Sequence, residues 1–412
     1  MGVLRFSLVA FLLILLIKKK FDLGLSLMIA AVCLGLMYQM APVDLGVALF
    51  KSSINVMGLL LLTAVMMIIF LSELMKKAGR IKTLVSSLRS MLGDPRGVVT
   101  LVPAMIGLLP IIGGAIISAP MVEEASEELK LTAPRKTFLN YWFRHLWEYI
   151  FPTYPGVIFS AAILDIGLRD VAKANFPLTI VALASGLFFG MRGIKHDKGW
   201  DGGISGKLIS DFIISALPLI VVIAAVLSIK TESVLGSLLV LNISLAVVFT
   251  FSAILYRIGP KDIWEIVKAN FSIKFVLIVI GILIFKGILE ATGAVQDISS
   301  DLNTFGIPVY LVLIILPFII GVSTGLTMAY VGITFPILLP FFTTGDYGMV
   351  AFMLAYAGGY AGVMLSPVHM CLVLTAEYFK ADLGAVYREI VKPVAVVLGF
   401  ALATYLVVFY VL

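Results

Sequence analysis

Four side chains with the potential for chemistry lie in one apolar segment, which runs from residue 138 to residue 164. They are Asn140, Arg144, His145 and Glu148, and all four would lie inside a bilayer if this segment crossed it. Ionisable groups are costly at that depth and commonly mark substrate sites, ion pathways or proton relays. Arg144 could bind an anion, while Glu148 or His145 could bind a cation or a proton.

A structural role is the alternative for the same residues. Arg144 and Glu148 are four positions apart, so a continuous helix would place them on one face, where they could neutralise each other. His369 lies at the corresponding place in the second half of the chain. Its imidazole could titrate, or it could stay neutral and hydrogen-bonded to a backbone carbonyl. Both interpretations stay open at this point.

The second half of the chain is a faint copy of the first half. Gly79 corresponds to Gly293 and Pro152 to Pro367, a displacement of about 215 positions. The segment 107–120 corresponds in the same way to the segment 323–336. Two hydrophobic halves that are interrupted by Gly and Pro at matching places indicate a secondary transporter with its binding site near the bilayer midplane.

Four interruptions are predicted at depth, at residues 109–114, 151–155, 322–327 and 365–369. Backbone that is not helical cannot face lipid, because each unpaired N–H or C=O group would cost several kcal/mol. Such backbone is tolerated where it lines a cavity. The alternative is that Gly and Pro only kink packed helices, which is common in membrane proteins.

These interruptions suit an anion together with a coupling cation. Freed carbonyls and hydroxyls are ligands for Na⁺, and the N-termini of the half-helices attract a carboxylate. The candidate substrate-binding residues are Gly113, Gly114, Asn140, Arg144, Thr153, Tyr154, Ser323, Thr324, Gly325, Ser366 and His369. The candidate residues for cation or proton coupling are Ser118, His145, Glu148, Pro152, Thr327 and Pro367.

The composition indicates that the protein that positions these residues is a membrane protein. The chain has 412 residues, of which 61% are hydrophobic and 13% are charged, and its mean hydropathy is +1.11. The net charge of +6 does not indicate nucleic-acid binding, because Lys and Arg lie in short loops between apolar runs. Cys33 and Cys371 lie inside apolar segments and give no disulfide framework or metal-ligand spacing.

We predict ten spanning helices and two re-entrant hairpins. The spans are 3–17, 21–40, 54–75, 138–164, 175–192, 210–229, 235–256, 272–290, 348–376 and 391–411, and the hairpins are 98–121 and 307–342. Basic residues cluster after every odd-numbered span. If both hairpins re-enter, all the basic loops lie on one side of the membrane, which is the cytoplasmic side. Both termini then face outward.

This orientation makes the two copies inverted. Residues 1–20 form an extra N-terminal helix, 21–192 form the first repeat, 193–234 form a linker with a connecting helix, and 235–412 form the second repeat. The first repeat begins at the cytoplasmic face and the second at the outer face. The predicted fold class is therefore an all-α membrane protein with two inverted-topology repeats.

The pattern resembles the ion transporter superfamily, which includes gluconate permeases and dicarboxylate carriers. The run from Phe143 to Gly156, FRHLWEYIFPTYPG, is similar to an uncharacterised prokaryotic integral-membrane branch of that superfamily. The resemblance covers residues 20–412 in architecture. It implies a secondary carrier for organic anions that is coupled to Na⁺ or H⁺. It also implies an elevator mechanism, in which a transport domain slides against a scaffold domain that forms a homodimer.

The chain departs from the sodium-coupled members, which carry a Ser-Asn-Thr type signature at each hairpin tip. The second tip has Ser323, Thr324 and Gly325 without the Asn, and the first tip has no hydroxyl between Gly113 and Ser118. This departure leaves the coupling ion open between Na⁺ and H⁺.

The sequence therefore predicts a cation-coupled secondary transporter of a small organic anion, a carboxylate, in a prokaryotic cell membrane. We expect membrane lipid and a second copy of the chain as partners, no nucleic acid, and no cofactor or resident metal apart from the coupling ion. One alternative is an intramembrane enzyme with a metal held by His145, Glu148 and His369. The other alternative is a channel.

Overall fold

The computed structural model describes residues 1–109, 114–194, 203–231, 233–343 and 347–411, without the side chains of residues 299, 302 and 303. Within these ranges the chain is helical and contains no strand. The first half contains α1 (Gly2–Lys18), α2 (Leu23–Met37), α3 (Pro42–Ser53), α4 (Val56–Lys77), α5 (Arg80–Met91), α6 (Pro95–Ile106), α7 (Gly114–Glu128), α8 (Ala133–Arg144), a 3-10 helix (Leu146–Tyr149), α9 (Pro155–Leu164) and α10 (Leu168–Met191).

The second half repeats this order of elements. It contains α11 (Gly206–Ser228), α12 (Val234–Leu255), α13 (Pro260–Asn270), α14 (Ile273–Thr292), α15 (Ala294–Thr304), α16 (Val309–Thr324), α17 (Thr327–Phe342), α18 (Gly348–Met364), α19 (Met370–Tyr378) and α20 (Leu383–Tyr410). Neither α3 nor α13 was predicted, since both lie between predicted spans.

Proline, glycine and polar caps set many of the helix boundaries. Pro155 is one of several prolines in the first turn of a helix, where the missing N–H would be unpaired in any case. Gly79 has a φ of +70° between α4 and α5, and Gly293 has a φ of +66° between α14 and α15. Both glycines therefore adopt the left-handed conformation that commonly ends a helix. The correspondence of these two glycines holds in backbone conformation as well as in sequence.

The contacts between helices occur in corresponding pairs. α2 packs against α14 as α12 packs against α4, and α7 packs against α19 as α17 packs against α9. α1 contacts α2 and α15 in the way that α11 contacts α12 and α5. The helices α1 and α11, which the sequence places outside the repeats, thus occupy corresponding positions.

Two groups of helices hold most of the packing. We call α1–α5 with α11–α15 the first bundle, and α6–α10 with α16–α20 the second bundle. In the first bundle, a Cβ added at Gly24 of α2 would lie 2.2 Å from the carbonyl of Leu277 in α14. In the second bundle, a Cβ added at Gly321 of α16 would lie 2.3 Å from the carbonyl oxygen of Gly359 in α18. Backbones in such close approach make each bundle a tightly packed unit.

Six helices in the described part of the chain are long and apolar enough to cross a bilayer: α4, α10, α11, α12, α14 and α20. Six of the ten predicted spans match them. The spans predicted at 3–17 and 21–40 correspond to the shorter helices α1 and α2. The spans predicted at 138–164 and 348–376 are each divided into two helices by a break.

Candidate functional site

The first helix break lies between α8 and α9. The α-helix ends at Arg144, a 3-10 helix covers Leu146–Tyr149, and α9 begins at Pro155. Pro152 and Pro155 remove two backbone donors from this stretch, so a continuous helix cannot form there. The break is wider than the predicted 151–155. The single helical face expected for Arg144 and Glu148 does not form, because helical geometry changes between the two residues.

Tyrosines of α18 bind the carbonyls that this break frees. The hydroxyl of Tyr356 donates to the carbonyl of Glu148 at 2.6 Å, and the hydroxyl of Tyr360 donates to the carbonyl of His145 at 2.9 Å. Both tyrosines are buried, and they are four residues apart on one helical face. Neither tyrosine was among the predicted site residues, although two tyrosines at helical spacing, close before the break predicted at 365–369, were the available signal.

The cationic side of the site is built around Arg144. Its Nη1 lies 3.3 Å from Sγ of Cys371, in the first turn of α19, and 3.4 Å from Nε2 of His145. A Cβ added at Gly114, the first residue of α7, would lie 2.9 Å from Nη2. The guanidinium therefore lies between the N-termini of two half-helices. Each N-terminus carries about half a positive charge, so this region favours an anion.

The two histidines meet between the helix breaks. Nδ1 of His145 lies 2.6 Å from the carbonyl oxygen of Tyr141, so this nitrogen carries the proton and donates. Nε2 of His145 is then an acceptor, and it lies 3.2 Å from Nε2 of His369. The neutral pair therefore requires His369 to donate from Nε2. The structure thus brings together the two histidines that the sequence places at the two breaks.

The acidic side of the site is built around Glu148. Its Oε2 accepts a hydrogen bond at 3.2 Å from the hydroxyl of Thr327, the first residue of α17. Its Oε1 lies 3.7 Å from Nε2 of His145. The carboxylate thus lies beside a helix N-terminus, where a negative charge is favoured. Two of the residues predicted for coupling, Glu148 and Thr327, are in direct contact.

The second break, at residues 365–369, is shorter and packs against the tip of the second hairpin. The hydroxyl of Ser366 donates to the carbonyl of Val322 at 2.7 Å. Gly325 has a φ of +64°, and a Cβ added there would lie 3.0 Å from Cα of His369. The hydroxyl of Thr324 donates to the carbonyl of Ile320 at 2.8 Å, so it stabilises the end of α16.

Other predicted residues take different positions. Ser118 and Asn140 are fully buried and bind each other, with the serine hydroxyl 2.6 Å from Oδ1 of the asparagine. The hydroxyl of Tyr154 donates to the carbonyl of Gly107 on the first hairpin. The remaining candidates take no part in the hydrogen bonds described above. Pro152 is in a buried turn, Pro367 is in an exposed turn, Ser323 is in the last turn of α16, and Gly113 lies outside the described residues.

A cavity of about 620 Å³ lies between the two bundles and reaches the first break. Thr153 and Pro155 of the break line it, together with Leu326 at the second hairpin tip. Thr153 is only 3% exposed, and its hydroxyl has no hydrogen-bond partner among the residues that the structure describes. The cavity therefore ends at a buried, unpaired polar side chain next to the N-terminus of α9.

Three metal-ligand atoms also lie close together. One ring nitrogen each of His145 and His369 and Sγ of Cys371 all lie within 4.8 Å of one another. The guanidinium of Arg144 contacts both the sulfur and Nε2 of His145. Its positive charge opposes a divalent cation at this place.

These features define an all-helical, multi-pass membrane protein, and the prediction of that class is confirmed. The chain belongs to the family described as "Protein of unknown function (DUF401)", whose model matches residues 3–408. No curated protein matches the chain.

Proposed function

We propose that the protein is a secondary transporter of a small organic anion, a carboxylate, coupled to a cation. The observation that carries this proposal is the position of Arg144 between the N-termini of α7 and α19. A guanidinium and two helix N-termini concentrate positive potential inside a bilayer, and a carboxylate neutralises it.

The proposal includes two inverted repeats, ten spanning segments and two re-entrant hairpins, α6–α7 and α16–α17. The paired contacts of the helices and the correspondence of Gly79 with Gly293 support the repeats. Basic residues on alternate loops support the inverted orientation, with both termini outside a prokaryotic cell membrane. Non-helical backbone at the breaks is compatible with a bilayer because tyrosine hydroxyls satisfy its carbonyls.

Alternating access follows from movement of the second bundle against the first. The helix breaks and both hairpins belong to the second bundle, so the whole anion site would move with it. The cavity lies between the bundles and is lined by the C-terminal half of α4 and by the junction of α13 with α14. Under the proposed orientation these elements are on the cytoplasmic side, so the site is open inward. The first bundle would then form the scaffold and the homodimer contact that the family resemblance implies.

Glu148 is the proposed coupling group. Its carboxylate accepts a hydrogen bond from Thr327 at the N-terminus of α17. A helix N-terminus also favours a substrate carboxylate, so the two carboxylates compete for this place. A proton on Glu148 would remove this competing charge, and a bound Na⁺ would neutralise it. In either case, cation binding and anion binding support each other, which is the requirement for symport.

A thermal-unfolding screen of the purified full-length protein tests this proposal. A ligand that binds only the folded state raises the unfolding midpoint, by an amount set by its concentration relative to its Kd. We expect organic acids to stabilise the protein, and we expect the effect to depend on pH or on Na⁺. Absence of stabilisation by every organic acid, at all pH values and with or without Na⁺, would contradict the proposal.

A further inference from the structure

The walls of the cavity between the bundles are apolar along most of their length. Val65 and Ile69 of α4, Phe275 and Ile278 of α14, and Met328 of α17 form these walls. Binding sites for small molecules are commonly apolar clefts of this size with a few polar groups that fix orientation. A transported solute that passes through this cavity therefore contacts hydrocarbon on several sides.

The polar groups lie at the two ends of the cavity. One end of the cavity, away from the helix breaks, lies near the ends of α4 and α13 and the start of α14. Its polar residues include Glu73, Asn270 and Lys274. Thr153 lies at the other end of the cavity, at the first helix break and beside the N-terminus of α9. The N-terminus of α9 favours a carboxylate at this end of the cavity, next to the buried and unpaired side chain of Thr153.

The fixed charges limit the charge of the solute. Among the described residues that line the cavity, only Lys274 and Glu73 are ionisable, and they have opposite signs. At the two described helix breaks, Arg144 is the only side chain with a permanent positive charge, and one guanidinium neutralises one carboxylate. A second or third carboxylate would enter apolar surroundings without a counter-charge, which is costly.

We infer that the substrate is an amphipathic monocarboxylate, with one carboxylate group and an apolar body of several carbon atoms. This inference rests on the proposed function and names its substrate class. The carboxylate binds toward Thr153 and the helix breaks, and the hydrocarbon lies against α4 and α14. Polyhydroxy acids and tricarboxylates are excluded, because their polar groups would face the apolar walls.

A chain-length series tests the inference. The purified full-length protein is titrated with acetate, butyrate and hexanoate, and with succinate, citrate and gluconate, while thermal unfolding is measured. Each methylene that the cavity buries should strengthen binding by about two- to fourfold. We expect hexanoate to bind most tightly and citrate and gluconate to produce no shift.

Two variants separate binding in the cavity from partition into detergent. Val65→Thr replaces a methyl group with a hydroxyl at nearly constant shape, and it should weaken hexanoate several-fold while leaving acetate unchanged. Val43→Thr, on the exposed surface of α3 where Val43 is 75% accessible, is the matched control and should change neither affinity. Arg144→Ala should abolish the response to every acid.

The outcomes distinguish this inference from the proposed function. Tight binding of succinate, citrate or gluconate without binding of hexanoate would overturn the inference and leave an organic-anion transporter. A response to hexanoate that persists in Arg144→Ala, or that is equal in Val65→Thr and wild type, would also overturn it. Absence of a response to any acid would overturn both.

Discussion

The two helix breaks have corresponding positions in the two halves, but they differ in length, burial and charge. The first break separates α8 from α9 by ten residues and places the charged side chains Arg144 and Glu148 in the interior. The second separates α18 from α19 by five residues, and Val368 and Met370 beside it are 58% and 57% exposed. His369 is its only ionisable side chain.

This difference indicates that the two breaks have different tasks. The first break holds the proposed ion-binding groups, and α18 from the other half of the chain supplies the hydroxyls that support its backbone. The second break is shorter: it exposes Pro367 and Val368, and it buries Ser366 against the second hairpin and His369 against His145. We therefore expect substitutions in the first break to change charge recognition, and substitutions in the second break to have smaller effects.

The largest effect is expected for Arg144→Ala. Removing one partner of a buried charged interaction costs about 2–5 kcal/mol, so uptake of the anion should fall by about thirtyfold or more. Uptake into proteoliposomes measures the change, and size-exclusion chromatography shows whether the variant is folded. Arg144→Lys is the matched control, since it retains the positive charge. Normal uptake and affinity in a folded Arg144→Ala protein would assign Arg144 a structural role.

Glu148→Gln should remove the coupling to the cation gradient. One unit of pH difference supplies about 1.4 kcal/mol per proton, which corresponds to about tenfold accumulation. The variant should lose this accumulation while retaining exchange of the anion across the membrane. Accumulation by the wild-type protein that follows Na⁺ at constant pH would instead identify Na⁺ as the coupling ion. Accumulation by Glu148→Gln equal to wild type would contradict the role of Glu148.

Alanine substitutions of two glycines compare the breaks directly. A Cβ at Gly107 would lie 2.1 Å from the carbonyl oxygen of Arg144, whereas the closest atoms at Gly325 are 3.0 Å away in His369. Gly107→Ala should destabilise the protein by about 1–3 kcal/mol and also weaken anion binding, because the backbone of Arg144 must move. Gly325→Ala should cost roughly 1–2 kcal/mol through its left-handed backbone, with little change in affinity.

Thermal unfolding with and without the anion measures both quantities. Gly399→Ala, on α20, is the control, because in the part of the chain that the structure describes no neighbouring residue lies within 4 Å of a Cβ added there. A larger loss of anion affinity in Gly325→Ala than in Gly107→Ala would reverse the assignment of charge recognition to the first break.

The smallest effect is expected for Ser118→Ala. The serine hydroxyl bonds Oδ1 of Asn140 at 2.6 Å between α7 and α8. Its loss should lower the free energy of unfolding by about 0.5–2 kcal/mol, the range for interhelical hydrogen bonds in membranes. The dependence of transport on the cation should not change, since this hydroxyl is already bound. A shift in cation dependence at constant stability would return Ser118 to the coupling site.

Features that depend on local chain chemistry could be predicted from the sequence. Proline and glycine cannot continue a helix in the ordinary way, so the breaks near Pro152 and Pro367 and the turn at Gly325 are visible in the sequence. The apolar runs likewise predicted the long helices, because a bilayer requires them.

Features that depend on tertiary contacts could not be predicted. The 3-10 helix at Leu146–Tyr149 forms where Tyr356 and Tyr360, more than two hundred residues away, bind its freed carbonyls. The contact of Arg144 with Cys371 joins the two halves in the same way. Sequence spacing within one helix gives no information about such partners, and it suggested a pairing of Arg144 with Glu148 that the local geometry does not form.

The approach of Gly24 to α14 has a consequence for how this molecule can be altered. Each glycine in this contact, Gly24 and Gly281, leaves no room for a methyl group because the opposite main chain occupies that space. A smaller neighbouring side chain would not make room for a larger residue at either glycine, since the atoms that fill the space belong to the main chain. Larger residues at this contact would require α2 and α14 to move apart as whole helices, whereas the exposed residues Val368 and Met370 beside His369 can be replaced individually.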